Sequence, residues 1–329
     1  MSKVLVSRRS ALTLLGGSLM AAPSLASAQQ QSWPARTVRY INGFPPGGAT
    51  DTLSRIFCQK MSEVTGQQFI VENKAGAGGT IGVDAIAKAA PDGYTVGMGN
   101  IAANVIAIGS YAKLPYKADS DFTSITGIWQ LPNIMVGHKD IPTSNLKELL
   151  ALFKKNPGKY TYASAGIGTT LHLSGETMNA MGGLDVRHVP YKGGSPAMVD
   201  LLGGRVDTFF DNIPGSLPNV RAGLIKPIAV TSKTRSPELP DVPAMAEVLP
   251  GYELTSWTAL AGPANMPADL VARINELATK ALNDPALKAK FAELGATAWP
   301  TSPAEITAFR DKEEARLLPI IKAAGIKPE

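Results

Sequence analysis

Phe44-Pro-Pro-Gly-Gly-Ala-Thr-Asp51 follows an apolar run, Thr37 to Gly43, and precedes a stretch in which Leu53, Ile56, Phe57, Met61 and Val64 recur at helical spacing. The three pieces predict a strand, a loop and a helix that opens at Thr50 or Asp51, ends at Thr65 and is closed by Gly66. Gly47 and Gly48 let the backbone approach a ligand without side-chain obstruction. The helix starts directly behind them, so its unpaired N–H groups and positive dipole end suit a carboxylate or phosphate oxygen. The arrangement returns at Ser164-Ala-Gly-Ile-Gly-Thr-Thr-Leu-His172. One glycine-rich loop reads most simply as a tight turn, but two at corresponding places point to a shared anion cleft.

Around the first loop the pattern repeats as strand, loop and helix. Strands are expected at Gln68 to Asn73 and Tyr94 to Asn100, with a helix from Thr80 to Ala90. Alternation of this kind implies parallel pairing through right-handed crossovers. A second run has strands at Tyr160 to Ser164, Val186 to Tyr191, Val206 to Asn212 and Ile225 to Ser232. Helices near Leu171 to Met181, Pro196 to Leu202 and Pro214 to Ala222 alternate with them. Two extended stretches, Phe122 to His138 and Tyr252 to Gly262, flank this run, so it reads as inserted into the first through a two-strand hinge. Three C-terminal helices follow. Asp284-Pro285 opens the second of them and the capping box Ser302 to Glu305 opens the third, and they are expected to pack on domain 1. The fold class is therefore α/β with two domains, 33–130 plus 255–329 and 131–254.

A chain of 329 residues accommodates two domains with real cores. Charged residues are sparse at 18%, and 32 Gly with 25 Pro indicate many turns. The net charge of +5 includes Lys3, Arg8 and Arg9, which lie in a leader without acids. The remainder has no basic run suited to phosphate backbones, so no nucleic-acid partner is expected. Residues 1–28 read as a signal peptide, with a basic start, an apolar stretch from Ala11 to Ala22 and an A-x-A cleavage site at Ala26-Ser27-Ala28. The stretch is too short to span a bilayer. The mature chain is therefore expected to be soluble in an extracytoplasmic space, starting near Gln29. Cys58 is the only cysteine, so no intrachain disulfide can form.

Catalytic and cofactor motifs are absent. There is no GxxxxGK[ST] loop, and Ile81 stands where Gly76-Ala-Gly78-Gly79-Thr80-Ile81 would need its third glycine for a dinucleotide. His138, His172 and His188 have no metal-ligand spacing, and His172 with Glu176 offers only two ligands. No catalytic residues, cofactor or metal are expected. Asp51 reads as a first-turn acid favoured by the helix dipole. His172 either orients the second loop or lines the pocket, and Asp211, at a strand end, is a candidate to face the cleft. With no Lys or Arg in either loop, backbone amides and hydroxyls, Thr169 among them, are expected to hold the anion.

The loops FPPGGATD and SAGIGTTLHL, together with VENKAGAGGTIGVDAIAKAAPDGYT from Val71, KLPY from Lys113, VPYKGGSPAMVDLLGGRVD from Val189 and PIAVTSKTRSPELPDVPAMAE, resemble the Bug (TctC-type) family of periplasmic receptors associated with tripartite tricarboxylate transporters. The resemblance runs over essentially the whole mature chain. It implies a type II periplasmic-binding-protein fold, two domains that close on a small carboxylate held by amides, hydroxyls and bridging waters, and delivery to membrane transport subunits. Carried onto this sequence, it implies ligand contacts at Phe44, Gly48, Ala49 and Asp51 in the first loop, and at Ser164, Gly168, Thr169, Thr170 and His172 in the second. After the third strand the family often shows T-H-x-x-N-P. Here those places hold Ala103, Asn104, Ala107 and Ile108, which suggests a less polar rim and a ligand such as an aromatic or short-chain carboxylate. The expected protein is a monomeric, non-enzymatic receptor; the alternatives are a secreted enzyme acting on a small organic acid and a ligand sensor for a signalling partner.

Overall fold

A computed structural model describes residues 33–324 and residue 326. The leader at residues 1–28 and the start near Gln29 lie outside the described residues. The first run comprises β1 (Val38–Asn42), α1 (Ala49–Thr65), β2 (Phe69–Asn73), α2 (Thr80–Ala87) and β3 (Thr95–Asn100). A π-helical turn, Ala102–Ile106, runs on into the short α3 (Ala107–Ser110). Next come β4 (Phe122–His138), α4 (Leu146–Lys155), β5 (Thr161–Ser164), α5 (Thr170–Gly182), β6 (Arg187–Pro190), α6 (Gly194–Leu202), β7 (Thr208–Asn212), α7 (Ile213–Arg221) and β8 (Ile225–Val230). The chain ends with β9 (Thr255–Pro263), α8 (Ala268–Leu282), α9 (Pro285–Glu293), β10 (Thr297–Ala298) and α10 (Pro303–Ala323).

The strands lie in the order β2-β1-β3-β9-β4-β7-β5-β6, and β8 and β10 also pair with β4. Pairing is parallel within each run, β1 with β2 and β3, and β5 with β6 and β7. Every pair that involves β4 or β9 is antiparallel. At 17 residues β4 is about three times a usual strand, and the length is used to serve two sheets. Phe122 to Pro132 pairs with β9, whereas from Asn133 onward the partners are β7 and β8. The two extended stretches thus form the crossings between two lobes, one built on β1–β3 and the other on β5–β8.

Asn133 marks the change of partner and would leave an amide stranded in the interior were it not fully bonded. Its N–H donates to Thr231 Oγ1 at 2.8 Å, and its Oδ1 accepts from Asn212 Nδ2 at 2.7 Å and Ser256 Oγ at 2.8 Å. Separate apolar cores flank this polar crossing. Tyr40, Leu53, Phe57, Met61 and Phe291 fill the first lobe. Phe153, Tyr162, Phe209 and Phe210 fill the second, whose core continues to Leu317 and Ile321 of α10.

The helix signals behave as their chemistry predicts. Gly66 closes α1 at φ 71°, Asp284 accepts from Leu287 N–H at 3.0 Å, and Ser302 and Glu305 bond reciprocally at 3.2 and 2.7 Å. Helices α8 and α9 pack on α1, and α10 on β4 and the π-helical turn. Several boundaries differ from expectation by one to three residues, two of them beside prolines. α2 stops at Ala87 and does not reach Ala90, whose position before Pro91 disfavours the helical region. α6 starts at Gly194, which places Pro196 in the first turn, where its missing N–H is not needed.

Candidate functional site

The first loop takes its shape from Asp51. This side chain is 3% exposed, and its Oδ2 accepts from Gly47 N–H at 3.0 Å and Arg55 Nε at 2.9 Å. Its Oδ1 accepts from Asn73 Nδ2 at 2.8 Å, and the same amide group donates to Phe44 O. Burial opposes ionisation, but the bonds from Arg55, Gly47 and Asn73 outweigh it and hold the carboxyl below its ordinary pKa. Asp51 is therefore an ionised strut that bends Phe44–Gly48 around itself, with its charge already spent. Gly47 sits at φ 77°, a conformation that suits glycine, and Gly48 is the N-cap of α1.

A different device holds the second loop. Thr169 caps α5: its hydroxyl donates to Gly166 O at 2.6 Å and accepts from His172 N–H at 3.3 Å. His172 Nδ1 accepts from Gly168 N–H at 3.3 Å, and Ser164 Oγ bonds His188 Nε2 at 2.7 Å. The two imidazoles stack with centroids 3.9 Å apart. Burial lowers the His172 pKa to about 4, and burial together with the neighbouring His172 lowers that of His188 to about 3. Both rings are neutral at pH 7, so the 3.9 Å approach of His172 to Glu176 is not an ion pair there. Glu176 instead takes a hydrogen bond from the Tyr162 hydroxyl.

A cavity lies where the two loops meet. Its wall holds Phe44, Gly48 and Ala49 from the first, Thr169 and Thr170 from the second, and Asp211 from the end of β7. Asp51, Ser164, Gly168 and His172 are not on the wall; they lie behind it and hold the loops. The remaining lining divides into an apolar part, Met98, Trp129, Leu131 and Trp257, and a polar part, Asn100, Asn212 and Ser256. Helices α1 and α5 both begin at this wall, with their first N–H groups free of intrahelical partners. The lobes also touch where Ser195 Oγ donates to Pro46 O at 3.2 Å, next in sequence to the lining residues Gly194 and Pro45.

Asp211 is the only ionisable side chain among the lining residues named for this cavity. It is 4% exposed, with Oδ2 accepting from Ser216 Oγ at 2.8 Å. Burial raises its pKa to about 7, against the bonds from Ser216 and the Asn212 N–H.

Two expectations about the site meet further structural facts. The Thr169 hydroxyl gives its proton to Gly166 O and the Thr170 hydroxyl bonds Ser256 Oγ at 2.6 Å, so the loop hydroxyls serve the protein's own frame. The positions expected to form a less polar rim lie away from this cavity. Ala103, Asn104 and Ala107 are buried, and neither they nor Ile108 lines the cavity. The end of β3 and the start of the π-helical turn bring Asn100, Ile101 and Ala102 to the wall instead. Sequence reasoning does not single out Asn100 or Ser256, although the rule that ligands sit beyond carboxyl ends of strands marks Asn100 as the last residue of β3. Among the described residues no group of three or more His, Cys, Asp or Glu is placed to hold a metal ion, and no helix is long and apolar enough to cross a membrane.

The profile of the family described as "Tripartite tricarboxylate transporter family receptor" matches residues 53–326. Protein BugT of Bordetella pertussis is 32% identical over 318 residues, covering 96% of this chain and 98% of its own. The structure of Rpa4515 of R. palustris with adipate superposes with TM-score 0.88 at 34% identity, covering 90% of this chain and all of that one. MatC (Rpa3494) of Rhodopseudomonas palustris, with bound malate, gives TM-score 0.82 at 31% identity over 88% of this chain and 99% of the other. With two lobes joined by β4 and β9, a cavity at facing βα loops and a family profile that matches most of its length, the chain belongs to the Bug (TctC) family of periplasmic solute-binding receptors.

Proposed function

We propose that this chain captures a small carboxylate between residues 33–130 plus 255–329 on one side and 131–254 on the other, and delivers it to the membrane subunits of a tripartite tricarboxylate transporter. The observation that carries the reading is the cavity wall: two helix N-termini from opposite lobes and no Lys or Arg. A wall of this kind neutralises a carboxylate with N–H dipoles rather than with a fixed countercharge. Adipate in Rpa4515 and malate in MatC, held by proteins of the same shape, support the same ligand class. Each exposed helix terminus contributes only about 0.3–1 kcal/mol, whereas micromolar affinity needs about 8 kcal/mol. Closure of the lobes and hydrogen bonds of about 1.5–3 kcal/mol each to the charged group supply the remainder. Phe44, Gly48, Ala49, Thr169, Thr170 and Asp211 are the proposed lining contacts, with Asp51, Ser164, Gly168 and His172 positioning the loops. Export by the leader and action as a monomer complete the proposal.

A thermal-shift screen of mono-, di- and tricarboxylates, followed by isothermal titration, tests it. A ligand present at about 100 times its Kd adds about 2.7 kcal/mol of stability. Stabilisation by carboxylates but not by matched amides or alcohols is the expected result. A screen in which no carboxylate binds, or the amides bind equally well, overturns the reading.

A further inference from the structure

Asn100 is 3% exposed and forms part of the cavity wall. Its Oδ1 accepts from Ala103 N–H at 3.0 Å, and its own N–H donates to Asn104 Oδ1 at 2.9 Å. These bonds tie the end of β3 to the π-helical turn and decide the amide's orientation, because only the oxygen can accept from an N–H. Nδ2 is therefore turned away from the helix, and there it is buried without a hydrogen-bond partner. A Cβ on Gly79 would lie 3.9 Å from Nδ2 and 3.2 Å from the Phe44 ring, so both border Gly79 on the lobe-one side, and Phe44 and Asn100 both line the cavity. Several neighbouring side-chain donors are occupied: Thr169 serves Gly166 O, Thr170 and Ser256 bond each other, and Asn212 serves Asn133 and Ser256, whereas Trp257 Nε1 on the same wall is, like Asn100 Nδ2, buried without a partner. A buried amide donor without a partner is costly, and π-helical turns are rare in soluble folds and frequent at functional sites.

We propose that Asn100 is the specificity-determining residue of the first lobe, its Nδ2 donating to an oxygen at the ligand end remote from the Thr169–Thr170 loop. The site then selects ligands with an acceptor oxygen at both ends over monocarboxylates that end in a methyl group. A methyl group placed there leaves Nδ2 unpaired in a dry site, whereas a second carboxylate or carbonyl satisfies it. This inference rests on the carboxylate reading above, and it adds the residue that reads the second end.

Isothermal titration with adipate and with hexanoate, its one-ended counterpart, tests the assignment in the wild type and in Asn100→Asp. The substitution keeps an oxygen for Ala103 N–H and replaces the donor by an acceptor. Wild type is expected to prefer adipate by about tenfold or more, and Asn100→Asp to weaken adipate by about a hundredfold and hexanoate by much less, so that the preference is lost. In 15N-labelled wild type, adipate is expected to shift the Asn100 side-chain amide resonances strongly, a readout that does not depend on folding of the variant. Equal adipate affinity in the variant, no preference in the wild type, or an unmoved Asn100 amide overturns the role of Asn100 and leaves the carboxylate reading standing. A wild type that binds neither acid overturns the role of Asn100 as stated, and the carboxylate reading falls with it only if the whole carboxylate screen is empty.

Discussion

Asp211 shows how one carboxyl in an otherwise uncharged wall is controlled. Its folded-state pKa of about 7 lies above the ordinary 3.8, so between these values the folded chain holds a proton that the unfolded chain has released. The stabilisation is therefore complete below about pH 4 and is lost as pH rises through about 7. His172 and His188 have the opposite sign: their depressed pKa values remove stability as pH falls below 6.5. They titrate in wild type and variant alike and cancel in a difference. Asp211→Asn is thus expected to gain on the wild type by about 2–4 kcal/mol between pH 4 and pH 8. Urea midpoints at four pH values measure this, and a pH-independent difference would remove Asp211 from the account. The role of Asp51 as a strut is equally hidden from the sequence, which shows a first-turn acid and cannot show that Gly47, Arg55 and Asn73 converge on it.

At the scale of elements, α5 depends on its cap. Thr169 bonds Gly166 O and His172 N–H, so Thr169→Val removes a loop bond and an N-cap together. The expected loss is about 1–2 kcal/mol of stability, read as a lower melting temperature without ligand. A variant of wild-type stability but much weaker binding would show instead that the hydroxyl serves the ligand. Caps of this type are legible in the sequence, since Gly66, Asp284 and the Ser302–Glu305 pair act through neighbours within four residues. The π-helical turn after β3 is not, since nothing local distinguishes Ala102–Ile106 from an ordinary helix start. Its bonds to Asn100 and the packing of α10 against it maintain it.

Across the whole molecule, the lobes meet through glycine. A Cβ on Gly78, at φ 62°, would stand 2.6 Å from Ile167 O on the facing lobe, and one on Gly193 would stand 2.5 Å from the Pro45 ring. Gly78→Ala is expected to hold the lobes apart and weaken carboxylate binding by about tenfold or more, with a larger radius of gyration in solution scattering at saturating ligand. Gly66→Ala is the control. It carries similar backbone strain at φ 71°, but nothing lies within 4 Å of the added carbon, so binding should stay unchanged. Equal binding by both variants would separate affinity from lobe contact. What the sequence determined by itself was the alternation of strands and helices, the two glycine-rich loops and the long crossing stretch Phe122–His138, because periodicity, turn residues and caps act over a few positions. Only the tertiary structure decided which groups face the cavity. Asn100, Trp257 and Ser256 reach one wall because β3 and β9 pair across about 160 positions of chain, as Gly97 with Ala261 and Asn100 with Thr258, and no local pattern carries that register.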